Sequence, residues 1–305
     1  MILARLNQLS SGKNMHCRIS FDIAILGAIS EEISPLVPLL ENGKSFAFLG
    51  QVLWTGARDN SQILLATTGL GKVNAAAVTA ALLERFSIAQ VWNIGSAGAY
   101  TEGPLEVGDV LITLDSLCGD EGVLEKGGIS SVVRIGIPIA ARGERVLYDR
   151  IPLDAPVMAR ASRDASPSGI YRLEPGVAPR SARSCGGGRE ASQVCEATGG
   201  RLTAALPPDA FKLFHGPNLT VGMSSGDAET ASQRFHRYGA FAENMEGSAV
   251  AQTCFLFDVP MAECRGISNV AGDRDRDRWQ LRRAIDHCHG IVLNWLECFS
   301  SRNGL

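Results

Sequence analysis

The sequence predicts one α/β domain, a three-layer αβα sandwich with a mostly parallel, mixed central sheet between helices. Three observations carry that reading. Apolar runs that do not alternate, at 20–28 (SFDIAILGA) and 90–99 (QVWNIGSAGA), mark strands covered on both faces. Between them an alanine- and leucine-rich stretch, NAAAVTAALLERF, has helical character. Buried strands alternating with helices build a sheet between two helical layers.

The bulk numbers allow such a domain. Of 305 residues, 45% are hydrophobic, enough for a sizeable core, and the net charge is -3. That balance gives no electrostatic reason to expect nucleic acid or a membrane surface as partner. No apolar run approaches the ~20 residues that a membrane helix needs. Residues 1–16 read as a leader whose apolar run is too short for a secretory signal, with Met15 a second candidate start. Residues 17–305 then form the single domain. The eight cysteines include no C-x-x-C pair, which fits a reduced, cytoplasmic protein. His287, Cys288 and His289 are consecutive, so on a helix they point ~100° apart and do not share an ion; no metal is expected.

Taken in order, the run at 20–28 is a buried strand ending in a glycine. Ser34 and Pro35 then suit the start of a helix, PLVPLLENG, that Gly43 stops. Glu31 and Glu32 fall in the turn between, either as functional carboxylates or as acids favouring a helix N-terminus. Strand-like stretches follow at 45–54 and 62–67, separated by a Gly/Asp/Asn turn. TGLGKV opens the next helix; Asn74 stands where the dinucleotide fingerprint needs its third glycine, so a tight turn explains it. The strand at 90–99 runs into small residues, Gly95, Ser96, Ala97 and Gly98, that let a ligand approach the backbone. A further strand spans 107–113, and GDEG at 119–122 is a polar turn.

Residues 155–203 are rich in Ala, Arg, Ser, Gly and Pro and show no period, which predicts a low-complexity, loosely packed insertion. After it come strand material in AFKLFHGPNLTVGM and a short helix in SGDAETASQRFHRYG. The stretch ENMEGSAVAQTCFLFDVPMAECRGISNVAGDRD at 243–275 reads as a carboxylate opening a helix, a buried strand, and a polar cluster at its end. The carboxyl end of such a strand is where open α/β sheets bind ligands. An amphipathic helix at 277–299 closes the chain, with Trp279, Leu281, Ile285, Ile291, Val292, Trp295 and Leu296 apolar.

Four motifs in this order, GAISEEI, GSAG, NMEGSAVA and RGISNVAGDRDR, resemble those of the nucleoside phosphorylase and nucleosidase superfamily, and within it the futalosine hydrolases most closely. The resemblance covers roughly 20–150 and 210–298. It implies the phosphorylase/hydrolase-like αβα fold, commonly a homodimer, no metal or organic cofactor, and cleavage of a ribosyl–purine bond. It also implies a place in menaquinone synthesis for a futalosine-cleaving enzyme.

The resemblance assigns roles residue by residue. Glu32 falls on the position that activates water in related nucleosidases. Phosphorylases of this superfamily hold phosphate in the same turn with glycine and arginine; here it carries Glu31 and Glu32, which repel an anion, so hydrolysis is expected. Glu246 matches the glutamate that binds the ribose hydroxyls, the alternative being a helix-opening acid. Arg265 matches an arginine near the water, a structural ion pair being the alternative. Ser96, Ala97, Gly98 and Met245 line the pocket, and Ala228 and Thr230 lie where relatives contact the purine, although Glu229 departs from the usual apolar residue. Adenine-specific nucleosidases carry Asp where Asn269 stands. Its carboxamide donates to a 6-oxo group and accepts from N7–H, suiting hypoxanthine, unless Asn269 only caps the next turn. Arg274 and Arg276 are either cations for a benzoate-like tail or part of a solvated face. An adenine-nucleoside nucleosidase, an inosine phosphorylase and a catalytically silent relative remain open.

Overall fold

The computed structural model describes residues 18–58, 60–126, 128–154, 169–172 and 210–303. Within them eleven strands form one sheet. In chain order they are β1 (Ile23–Gly27), β2 (Glu41–Phe48), β3 (Gln51–Arg58), β4 (Ser61–Thr67), β5 (Val91–Ala99), β6 (Val110–Cys118), β7 (Arg150–Pro152), β8 (Gly169–Arg172), β9 (Ala210–Thr220), β10 (Ala242–Asn244) and β11 (Met261–Val270). The helices are α1 (Ser30–Ile33), α2 (Lys72–Arg85), α3 (Ala228–Tyr238), α4 (Gly247–Phe257) and α5 (Leu281–Asn303). The pairs β1–β4, β1–β5 and β5–β11 are parallel, whereas the β2–β3–β4 meander and the β6–β7 edge are antiparallel.

Alternation along β1 shows why its run is wholly apolar. Ile23 and Ile25 pack with Cys288, Ile291, Val292, Trp295 and Leu296 of α5. Ala24 and Leu26 point the other way, into a cluster with Val78 and Leu82 of α2 and Val250 and Cys254 of α4. Both faces are covered, so no position along the strand favours a polar side chain. Beside this layer, β11 pairs with β5 and β6, β6 with β9, β9 with β10, and β10 back with β5. Those five strands close a ring, which removes their free edges.

Several expectations are corrected. The helix expected after Ser34 is a 3-10 turn, Ser34–Leu39, because Pro38 inside it lacks an amide donor; Gly43 lies in β2. The stretch at 45–54 is a hairpin: Leu49 (φ 49°) and Gly50 (φ 74°) both take left-handed backbone and turn β2 into β3. The strand expected at 107–113 begins at Val110 and extends to Cys118, and α5 starts only at Leu281, after Trp279. Within the expected insertion, residues 169–172 are a strand paired with β9, and the rest of 155–203, like 1–16, lies outside the described residues. The strand at 210–220, the helix at 228–238 and the helix after Glu246 stand where expected. Among the described residues no helix is long and apolar enough to cross a membrane, and Cys118, Cys254, Cys264 and Cys288 are free thiols.

Candidate active site

The carboxyl ends of β1, β5 and β11 meet at Glu32. It is the third residue of α1, and its side chain folds back on the helix start, where Oε2 accepts the amides of Ala28 (2.7 Å) and Ile29 (3.3 Å). Oε1 accepts the amide (3.0 Å) and hydroxyl (3.3 Å) of Ser96, at the end of β5. The residue is 3% exposed, whereas Glu31 faces solvent. From α5, His289 Nε2 sits 2.7 Å from the Glu32 backbone carbonyl. A carbonyl has no proton, so that nitrogen carries the hydrogen. His287 likewise bonds the Gly108 carbonyl, so each ring has a protein partner.

Arg265 on β11 is 1% exposed. Its Nε and Nη2 donate to Glu263 Oε1 (3.0 and 2.9 Å), while Nη1 lies 3.7 Å from Glu246 Oε2. Burial disfavours its charge, yet Glu263, Glu246 and Glu32 together hold the guanidinium protonated well above its ordinary value. The reverse holds at Glu32, where burial raises the carboxyl above its usual range. Arg265 and the Ser96 amide pull it down, and the nearby Glu246 charge pushes it up again. Gly95 makes the approach possible: at φ 151° a Cβ there would sit 2.5 Å from Glu32 Oε1 and 2.9 Å from Arg265 Nη1. The small residues predicted to admit a ligand therefore admit the protein's own side chains at that point.

Glu246 stands at the N-cap position of α4, yet its carboxylate makes no cap bond. Asn244 does that work, its Oδ1 accepting the amides of Glu246 (3.0 Å) and Gly247 (2.7 Å). Glu246 is left to accept the Gly71 amide (3.0 Å) and to face Arg265. TGLGKV thus contributes more than a turn, since it brings that amide to the carboxylate. Beside Gly71, Lys72 pairs with Asp120 and Glu121 in the polar turn after β6.

Asn269 ends β11 beyond a bulge at Ser268, where pairing shifts from Ile267–Ala97 to Asn269–Gly98. Its Oδ1 accepts the Ser268 hydroxyl (2.8 Å) and its Nδ2 donates to the Val270 carbonyl (2.9 Å). Ala97 is buried, and Gly98 lets Nδ2 approach within 3.2 Å of where a Cβ would stand. Met245 is half-buried, its sulfur accepting from Ser224 (3.4 Å). Ala228 is exposed at the start of α3, and Thr230 spends its amide and hydroxyl on the cap residue Asp227 (2.7 and 3.0 Å). Glu229 accepts from Gln233 along the helix surface. Asp227 packs over Gly272, bringing the start of α3 close to the end of β11. Arg274 and Arg276 stack over Trp279 (5.1 and 5.9 Å). Arg278 pairs with Asp273 and Asp275, which fits a solvated face.

Two groups escaped the sequence reading. Glu263 is one; its signal was period-2 spacing from Arg265, which puts both on one face of a strand. The other is Glu243, which accepts from Ser225 (amide and hydroxyl, both 2.7 Å), Tyr100 (3.0 Å) and Arg234 (3.1 Å). It fixes the loop before α3, and nothing local in the sequence announces those partners.

The phosphorylase superfamily matches residues 22–297, and the chain belongs to it. Among curated relatives, the futalosine hydrolase of Thermus thermophilus is 32% identical over 248 residues, covering 81% of this chain and 85% of that protein. The 5'-methylthioadenosine/S-adenosylhomocysteine nucleosidase of Psychromonas ingrahamii is 27% identical, covering 83% and 87%. Among solved structures, that nucleosidase from Colwellia psychrerythraea, in complex with adenine, aligns with a TM-score of 0.65 at 22% identity, covering 92% of this chain and 96% of its own. The Neisseria meningitidis nucleosidase, in complex with methylthio-immucillin-A, gives 0.65 at 23%, covering 91% and 99%. At those identities the structures speak for the fold, which is the same mixed α/β architecture.

Proposed function

We propose that the chain is a nucleosidase that hydrolyses the N-ribosidic bond of futalosine, releasing hypoxanthine and dehypoxanthine futalosine. The observation that carries the hydrolytic part is Glu32, a buried carboxyl with raised proton affinity in the first strand-to-helix turn. An acid there disfavours a phosphate anion and accepts a proton from water. Ser96 and Arg265 fix the site around it.

The bond breaks toward an oxocarbenium-like ribosyl cation and an electron-rich base. Glu246, freed from capping by Asn244, accepts hydrogen bonds from the ribose hydroxyls. Glu32 orients water toward the carbon that loses the base and takes its proton. Asn269 keeps one N–H and an Oδ1 lone pair beyond its two protein bonds. The N–H donates to the 6-oxo group, a bond that strengthens as negative charge builds on the leaving purine, and Oδ1 accepts from N7–H once a solvent water has given N7 its proton. Ala97, Gly98, Met245, Ala228 and Thr230 complete the walls of the same pocket.

The 32% identity to a futalosine hydrolase supports this substrate. The second reading, an adenine-releasing nucleosidase for methylthioadenosine, adenosylhomocysteine or aminodeoxyfutalosine, is favoured by the nucleosidase relatives. We extend the proposal to a homodimer, because Leu124, Val133, Ile135, Ile137 and Val146 expose apolar side chains along one stretch of chain.

Incubation with futalosine in phosphate-free buffer made with 18O-water tests the reaction type. Hypoxanthine is released without phosphate, and the sugar product carries the label. Release only when phosphate is added, with a phosphorylated sugar, would overturn hydrolysis.

A further inference from the structure

Glu263 is fully buried, and nothing in the proposed reaction uses it. It lies inside the closed ring of strands, where a lone carboxylate is strongly disfavoured unless its oxygens are bonded. Asn93 on β5 donates to Oε1 (3.0 Å), and Asn218 on β9 donates to Oε2 (3.4 Å). Arg265, two residues on along the same strand, turns its Nε/Nη2 edge onto Oε1. From above, Gly247 at the first turn of α4 leaves room for the carboxylate: a Cβ there would lie 2.4 Å from Oε1. Three strands and one helix start therefore converge on this acid.

Its consequence appears at the far corner of the guanidinium. With Nε and Nη2 taken by Glu263, Arg265 presents Nη1, at 3.7 Å from Glu246 Oε2 and 3.5 Å from the Ser96 carbonyl, toward the cluster that holds Glu32. The planar fork has one low-energy way to satisfy both sides, so fixing one edge aims the other. We propose that Glu263 is a positioning residue for the nucleosidase reaction. It locks Arg265 edge-on so that Nη1 faces Glu246 and Glu32, and it absorbs part of the guanidinium charge that would otherwise act on Glu32. The proposal rests on the nucleosidase reading of the site.

The groups facing this cluster set the sign of the effect. They are Arg265 on β11, Glu246 on α4, Glu32 on α1, Asn93 and Asn218 on their strands, and His289 on α5, which reaches the Glu32 carbonyl; the Cys264 thiol lies on the other face of β11, against Cys288. One guanidinium is shared among three carboxylates. Neutralising Glu263 gives Glu32 and Glu246 a larger share of the positive charge. The ionised form of Glu32 is then favoured, its titration moves down, and it becomes a weaker base.

The test is Glu263→Gln, which keeps the acceptor for Arg265 and removes the charge. Carbon-detected NMR follows the Glu32 carboxyl in the free protein, assigned by its loss in Glu32→Gln. The Glu32 midpoint falls by about one pH unit in Glu263→Gln. The acidic limb of the kcat/KM profile moves with it, and kcat drops roughly tenfold with KM little changed. A folded Glu263→Gln protein with an unmoved midpoint overturns the proposal. Glu263→Asp keeps the charge and shortens the reach, which covers the case in which the glutamine variant does not fold. It retains the midpoint and loses kcat, and parental kcat in Glu263→Asp overturns the positioning role. A parent that cleaves no nucleoside refutes the functional reading alone, because the titration decides the role of Glu263 without substrate.

Discussion

At the residue scale, Glu32 combines four hydrogen-bond donors with almost complete burial. Burial is the larger influence and raises its proton affinity above that of the unfolded chain. A carboxyl raised in the fold contributes stability that is present below its unfolded value and lost as pH rises through the folded value. Glu32→Gln removes that titration. Its NH2 also meets an amide N–H of Ala28 or Ser96, so the variant begins less stable in acid. The expected outcome is a melting-temperature difference that moves in the variant's favour as pH rises above the ordinary carboxylate range. Calorimetry across that rise checks it, and a difference flat with pH contradicts the burial argument. Turnover in the same variant falls by about 10²–10⁴-fold. Glu32 was legible as a motif position, but its burial was not. That depends on Ser96 from β5 and on α5, which are distant in sequence.

Elements were legible where one physical cause dominated. The wholly apolar β1 and the largely apolar β5 follow from burial on both faces, and the alanine-rich α2 from intrinsic helix preference. The β2–β3 hairpin was missed because its turn begins with leucine, which the left-handed region disfavours and turn signatures do not include. Leu49 is also 61% exposed, so packing does not repay that conformation. Leu49→Asn should stabilise the protein by about 0.5–1 kcal/mol, read as a higher denaturant midpoint with an unchanged slope. A lower midpoint would mean that Leu49 contributes through contacts the hairpin geometry does not reveal. The bulge at Ser268, which sets Asn269 opposite Gly98, had no sequence signal either. Register is a property of two strands, and one strand's residues do not encode it alone.

At the scale of the whole molecule, the ring of β5, β11, β6, β9 and β10 explains how distant segments build one site. Glu32, Ser96, Glu246, Arg265 and Asn269 come from four stretches that only the sheet brings together, and Glu263 braces them from within the ring. Ordered motifs made the membership of this set legible. The brace was not, since a buried acid on a strand looks in sequence like a solvent-facing one. The central claim is that this arrangement hydrolyses a 6-oxopurine nucleoside read by Asn269. The most direct measurement is kcat/KM for futalosine, aminodeoxyfutalosine, methylthioadenosine and inosine, on the parent protein and on Asn269→Asp. The account predicts that the parent prefers futalosine over aminodeoxyfutalosine by at least about tenfold, the scale of a misplaced hydrogen bond to the base. The aspartate variant should shift that ratio toward the 6-amino nucleosides. Equal or greater cleavage of the 6-amino nucleosides by the parent, with a ratio that Asn269→Asp leaves unchanged, would contradict it.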